Sequence, residues 1–211
     1  MKVAVIGANT PVGARVVVEA EKAGIQVTSV VSTPADLVGN GPIIIKEAHE
    51  LSHEDLSPFH AVVDAVTFPL MHTRALPELP VFYVAPHLAG SSCRYLGFGS
   101  CYLLYADSSR TRRVMDCEDM FYVRGELRAH KALEIYEKMQ HIAGFNFTLL
   151  CPPLTVSEDA YATGSFALTD DILPMTETGS SSITLPDLAL AMVDLLKRQN
   201  LKGELIAVHN L

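Results

Sequence analysis

The chain opens with an apolar run, Val3-Ala4-Val5-Ile6, that stops at Gly7; after a short loop of small residues, a helical pattern runs from Val12 to Lys22. Strand, glycine turn and helix start, in that order, constrain the fold more than any other feature. A parallel strand needs cover on both faces, and a helix that follows so closely must pack back across it. The junction also collects unpaired backbone N–H groups at the positive end of the helix dipole, a setting that suits a pyrophosphate.

The spacing Gly7-x-x-Thr10-x-x-Gly13 differs from the three-glycine dinucleotide fingerprint at its middle position. Gly7 serves the tight turn and Gly13 the close approach of helix to sheet. The Cβ of Thr10 narrows the site, while its hydroxyl can donate a hydrogen bond to a phosphate oxygen. Pro11 fits the first helical position, where no N–H is missed, and Asn9 and Val12 complete the candidate loop. The bland alternative is a buried strand and turn that binds nothing.

A second strand, Gln26 to Val31, ends at Ser32-Thr33. An acidic residue there would grip a ribose hydroxyl and an arginine would favour a 2′-phosphate. Two hydroxyls can bond either, so the choice between NADH and NADPH stays open.

Further apolar runs follow at Pro42–Ile45, Ala61–Val66, Pro80–Ala85 and Phe145–Cys151, the last stopped by Pro152-Pro153, with a closing strand at Glu204–Val208. Arg94–Gly99 leads into another strand end or turn. The continuous apolarity of Pro42–Ile45 predicts a strand covered on both faces. Helical periodicity marks Gly125–Ala143, with Leu127, Leu133, Ile135, Tyr136, Met139 and Ile142 on the buried side, and Asp187–Gln199 after Pro186. Alternating strands and helices predict an α/β fold, a Rossmann-like doubly wound parallel sheet in one domain of residues 1–211, with a small C-terminal lobe from about 152 to 185. Ligand sites in such sheets lie beyond the carboxyl ends of the strands. The expected lining is Gly7–Val12, Ser32–Thr33, Glu47–Ala48, Ala65-Val66-Thr67, Gly99-Ser100 and Pro153-Leu154.

Composition narrows the function classes. With 211 residues, 49% hydrophobic and 19% charged, the chain can bury a substantial core. Its net charge of −8 disfavours nucleic acid, which needs a basic face, so the Arg110, Arg112 and Arg113 cluster reads as a solvated loop, with an anionic ligand as the alternative. The four cysteines show no metal spacing and read as reduced, mostly core-packed thiols; no metal site is indicated. No apolar run reaches the roughly twenty residues of a bilayer span, and the opening strand is too short for a signal peptide. The expected location is cytoplasmic, with no membrane partner and a homodimer left open.

The C-terminal half makes a family visible. Thr163-Gly164-Ser165-Phe166 with Asp170-Asp171, then Gly179-Ser180-Ser181-Ser182-Ile183-Thr184 and Asp187-Leu188-Ala189-Leu190-Ala191, join the opening loop and Gly97-Phe98-Gly99-Ser100. Together they resemble the NADH-flavin reductases, atypical short-chain dehydrogenase/reductase proteins similar to the biliverdin/flavin reductases. The likeness covers nearly the whole chain and is weakest over Met71–Cys93.

The resemblance implies an NAD(P)H-binding domain whose small lobe covers the nicotinamide end, with FMN or FAD as a transient substrate. It matches Ser100 to the serine beside the nicotinamide and Lys131 to the lysine of a Tyr-x-x-x-Lys pair, both as candidate catalytic residues. The tyrosine position holds Leu127, which cannot deliver a proton, so ketone reduction by that route is disfavoured. Leu154 stands where the biliverdin/flavin reductases carry a histidine. A flavin or quinone-like ring is already electrophilic and needs mainly stacking and distance; Tyr161, Phe166 or Phe68 could press on it. The expectation is an NAD(P)H-dependent reductase of such an acceptor. The alternative is a non-catalytic NAD(P)-binding redox sensor of the same fold.

Overall fold

A computed structural model of the chain describes residues 1–71, 73, 75–117, 125–177, 179–198, 201 and 203–211. The opening strand β1 (Lys2–Ile6) lies at the centre of an eight-stranded sheet. On one side it pairs with β2 (Gln26–Val31), itself edged by β3 (Ile43–Ile45). On the other side lie β4 (Ala61–Asp64), β5 (Arg94–Phe98) and β6 (Phe147–Cys151). All of these pairings are parallel, with Val3 opposite both Val27 and Ala61.

Two further strands finish the sheet. The last strand, β10 (Glu204–Asn210), is parallel to β6, and β8 (Phe166–Thr169) is antiparallel to β10. The order is β3-β2-β1-β4-β5-β6-β10-β8, a doubly wound Rossmann-like arrangement.

Side chains alternate across the pleat and so feed two cores. Val3 and Val5 join one core with Val12, Val16 and Val17 of α1 (Pro11–Lys22) and Leu188 and Met192 of α6 (Leu185–Lys197). Ala4 and Ile6 join the other, built on Val81, Val84 and Leu88 of α4 (Pro80–Leu88) and Ile135 and Met139 of α5 (Gly125–Gln140). Two short helices, α2 (His53–Leu56) and α3 (Thr67–Leu70), lie along the chain on either side of β4. A pair of parallel strands, β7 (Thr155–Ser157) and β9 (Ser182–Thr184), comes from the segment expected to form the small lobe. The same segment sends β8 into the main sheet.

Five expectations are corrected here. Pro80–Ala85 is helical rather than a strand, because β4 and β5 are parallel neighbours and the chain between them must cross over the sheet. Pro80 starts that helix at a position where its missing N–H costs nothing. β3 is an edge strand, with Ile43 and Ile45 exposed, rather than covered on both faces. Leu127 is 78% exposed; Ala129 and Ala132 take the buried stripe of α5 with Ile135, Tyr136 and Met139. The arginine cluster is not merely solvated, since Arg110 pairs with Asp170 and Asp171 and Arg113 lies over the Tyr105 ring at 4.8 Å. α6 starts two residues earlier than expected and reaches Lys197; its expected end, Gln199, lies outside the described residues.

Candidate active site

The turn after β1 is held by glycine at both ends. Gly7 has φ +75, and a Cβ there would overlap Val66 Cγ2. A Cβ at Gly13 would overlap the Gly7 carbonyl oxygen. Between them Thr10 is the helix N-cap. Its hydroxyl donates to the Gly7 carbonyl at 2.8 Å and accepts from the Gly13 N–H at 3.1 Å. The proton that could have served a phosphate is therefore turned inward. Pro11 has no N–H, and the Ala14 N–H donates to the Thr10 carbonyl at 2.8 Å. Among the described residues, Val12 carries the one N–H of this first turn that no internal acceptor takes.

A second element comes up against this turn from the end of β4. Asp64 is buried, 1% exposed, and its carboxylate accepts the N–H groups of Val66 (2.7 Å) and Thr67 (2.9 Å). It also accepts the hydroxyls of Thr67 and Tyr95, the latter at 2.8 Å. Thr67 Oγ1 in turn accepts the Val81 N–H from the start of α4 at 3.1 Å. Four donors thus satisfy the oxygens of this buried side chain. Burial, followed by the Asp64 charge, pushes the Tyr95 phenol well above its ordinary range. The network fixes the Ala65-Val66-Thr67 segment, brings Val66 onto Gly7 and aims Phe68 at the space beyond.

That space is a cleft of about 480 Å³ at the carboxyl ends of the strands. Its floor is Thr10, Pro11, Val12 and Ala65, and its end is Gly99, Ser100 and Cys101. Phe68, Met71, Phe98, Leu185 and Leu188 supply apolar walls. Tyr102, Arg128 of α5, Pro152, and Val156 and Glu158 of and beyond β7 complete the rim.

Ser100 is buried and caps the helical turn Cys101–Leu103, its oxygen accepting the Tyr102 N–H at 3.4 Å. The Cys101 thiol is pushed up to about 11 by burial, and that of Cys151 higher still, so neither is a nucleophile near neutrality. Two clefts of similar volume, 510 and 470 Å³, lie elsewhere, one against Arg94 and Asn146 and one against Arg113 and Gln140. The former adjoins the amino ends of β5 and β6, opposite to where ligands bind in such sheets.

Of the expected site residues, Thr10, Pro11, Val12, Ala65, Gly99 and Ser100 meet in the cleft. Gly7, Asn9, Val66 and Thr67 build the loops behind it without lining it. Ser32 and Thr33 are exposed at the end of β2, and Glu47 caps a helical turn on the surface. Lys131, one turn along α5 from Arg128, is outside the lining. So are Pro153, which is buried, and Leu154, which is exposed and donates its N–H to Ser181 at 3.4 Å. Phe68 is the one proposed ring-pressing aromatic that reaches the cleft; Tyr161 is 93% exposed and Phe166 packs on the core beside α6. The sequence reading missed Tyr102, Arg128 and Glu158. Arg128 sits four residues before Ala132 of the buried stripe, yet residues before Gly125 give no periodicity from which its direction could be read.

The floor fits an extended diphosphate-bearing ligand. Backbone meets backbone at Gly13, the Val66 side chain closes over Gly7, and the free Val12 N–H stands at a helix start where negative charge is favoured.

The segment before α6 is tied down by another carboxylate. Asp187 is fully buried in the first turn of α6. It accepts from the Thr163 hydroxyl (2.7 Å), the Gly164 N–H (2.9 Å), the Thr184 hydroxyl (2.8 Å) and Asn210 Nδ2 (2.7 Å). Burial works to raise its pKa, but the hydrogen bonds from Thr163 and Asn210 and the backbone amides win, holding it at about 2. The Thr163–Asp187 stretch picked out in the sequence is thus a packing device for the wall that carries Leu185 and Leu188.

Comparison with known proteins agrees with this architecture. No family model matches the chain. The uncharacterized protein YwnB of Bacillus subtilis (strain 168) is 27% identical over 209 residues, covering 99% of this chain and 98% of that protein. A crystal structure from Streptococcus pneumoniae TIGR4, described as a proposed NADH-flavin reductase, superposes with a TM-score of 0.88 at 29% identity, covering both chains completely. A proposed epimerase from Bacteroides thetaiotaomicron shares the fold at a TM-score of 0.81 and 21% identity, covering 100% and 97%. The resemblance to the NADH-flavin reductase family seen in the sequence is thus met by a solved structure along the whole chain.

Proposed function

We propose that this chain, which shares fold and full length with a proposed NADH-flavin reductase, is an NAD(P)H-dependent oxidoreductase acting on a flavin or quinone-like acceptor. One observation carries the reading: the glycine turn with its free Val12 N–H opens into the same cleft as the apolar walls of Phe68, Phe98 and Leu185. In this reading Gly7, Asn9, Thr10, Pro11 and Val12 hold the diphosphate, and Ser32 and Thr33 meet the adenosine ribose. Ala65, Val66 and Thr67 shape the passage between, and Gly99 and Ser100 border the reacting end. When bound, a reduced nicotinamide supplies the hydride.

The protein's own part is binding, orientation and exclusion of water. Phe68 and the leucines of α6 flank a flat ring and keep the cleft dry, which strengthens every polar contact made there. Ser100 borders the cleft end, its oxygen accepting the Tyr102 N–H and its hydroxyl within reach of the Cys101 thiol. Lys131 stands outside the lining, one turn along α5 from Arg128. The tyrosine route to ketones is not supported, since Leu127 faces solvent.

The test is oxidation of NADH and NADPH in the presence of FMN, FAD and a soluble quinone at micromolar protein. Turnover with at least one acceptor supports the reading, and none with any of them overturns it. A nucleotide-binding sensor is the second reading, favoured by the inward-turned Thr10 hydroxyl and the leucine at position 127. Nucleotide binding without turnover selects it.

A further inference from the structure

We infer that the acceptor carries an anionic arm and that Arg128 is the residue that recognises it, a step that rests on the oxidoreductase reading and narrows its substrate. Among the described residues, the cleft combines apolar walls with two charged side chains. Phe68, Met71, Phe98, Leu185 and Leu188 surround its interior, and the charged side chains of its lining are Arg128 and Glu158. Arg128 is exposed on α5 and, among the described residues, makes no hydrogen bond or ion pair. The other described arginines near clefts are engaged: Arg94 caps the end of α6 with bonds to the Leu196 and Arg198 carbonyls, and Arg110 bridges Asp170 and Asp171. Arg128 faces the cleft beside Tyr102, close enough for its charge to oppose the rise that burial imposes on that phenol.

An uncommitted guanidinium at the mouth of an apolar slot selects a ligand with a flat apolar body and an acidic tail. Its planar fork suits the two oxygens of a phosphate or carboxylate. The chain is strongly acidic overall, with a net charge of −8, so such a ligand approaches an unfavourable field and depends on this local cation. Glu158 at the same rim works against the arm. Among flavins, this chemistry fits the phosphate-bearing FMN rather than riboflavin, which has the same ring and sugar chain without the phosphate.

The experiment titrates the full-length chain with FMN and with riboflavin by flavin fluorescence, without nicotinamide nucleotide, and compares Arg128→Gln and Glu158→Gln with the parent. Both positions are exposed, so the variants keep the fold. The expected result is tighter binding of FMN than of riboflavin by the parent. Arg128→Gln should raise the dissociation constant for FMN about tenfold, equivalent to about 1.4 kcal/mol, and leave that for riboflavin within about twofold. Glu158→Gln should tighten FMN alone.

Equal losses for both flavins, no change for either, or no flavin binding by the parent overturns the inference. Reduction assays on the same variants separate it from the reading beneath it. If FMN binds through Arg128 but no acceptor is reduced, the assignment of the reaction falls and the anion site stands. If both flavins are reduced equally well by parent and Arg128→Gln, the reaction stands and the anion site falls.

Discussion

The Thr10 hydroxyl accepts the Gly13 N–H at 3.1 Å, so the side chain in the middle of the opening loop takes up one of the donors at the helix start. At the same time it donates back to the Gly7 carbonyl at 2.8 Å. The threonine therefore stiffens the turn rather than adding a hydrogen-bond donor for a ligand, and the Val12 N–H is left to meet any anion at the helix start.

Thr10→Ala removes the cap and should cost about 1 kcal/mol in urea denaturation, the usual worth of an N-cap side chain. Gly13→Ala should cost more, on the order of 2 kcal/mol, because the new methyl overlaps a backbone carbonyl rather than a flexible side chain. A larger loss for Thr10→Ala than for Gly13→Ala would contradict this view of the loop.

The Asp64 carboxylate gathers two N–H groups and two hydroxyls. Tyr95→Phe removes one donor and leaves the others, so the expected destabilisation is about 1.5 kcal/mol. Asp64→Ala strands the buried donors of Val66, Thr67 and Tyr95 together and should cost roughly twice as much or more. Equal losses for the two variants, measured by chemical denaturation, would show that the carboxylate is not the hub.

Asp187 links stability to acid. Its folded pKa of about 2 lies below the ordinary 3.8, so the folded state favours the ionised form. The resulting stabilisation is fully present above about pH 4 and is lost as pH falls toward 2. It amounts to about 2 kcal/mol for a shift of this size. Asp187→Asn should lower stability at pH 6 and flatten the dependence between pH 4 and 2. An unchanged acid limb in the variant would reassign that dependence to other carboxylates.

How much of this could be read from residues alone depended on whether a pattern was local. Val3, Val5 and Ile6 before Gly7 announce a buried strand and turn, and the alternation of strands and helices announces the parallel sheet. Val81-Phe82-Tyr83-Val84 favours a strand by composition, so Pro80–Ala85 reads as one; only its position between two paired parallel strands makes it a helical crossover. Leu127 was misplaced because a leucine near a helix start has too little periodicity behind it, and Ala129 and Ala132 carry the buried stripe instead. The cleft residues Tyr102, Arg128 and Glu158 come from three segments far apart in sequence, and nothing in their spacing tells that they share a rim.

The exposure of Leu127 leads to a clear expectation for engineering. Leu127→Tyr restores the residue type of a Tyr-x-x-x-Lys pair with Lys131, but position 127 points to solvent. The variant should gain no ketone reductase activity and keep flavin or quinone turnover within about twofold, since surface substitutions away from a site are close to neutral. Ketone reduction by Leu127→Tyr would show that α5 turns this position into the cleft.

The claim on which the account turns is that the start of α1 receives a dinucleotide. Titration of the isotopically labelled chain with NADH and NADPH, followed by amide NMR, tests it directly. The account predicts saturable shifts at Val12 and Asn9, with Ala65 and Gly99 following at the same dissociation constant. Saturating nucleotide that leaves Val12 unmoved, or that moves only residues around Arg94 and Asn146, would contradict it.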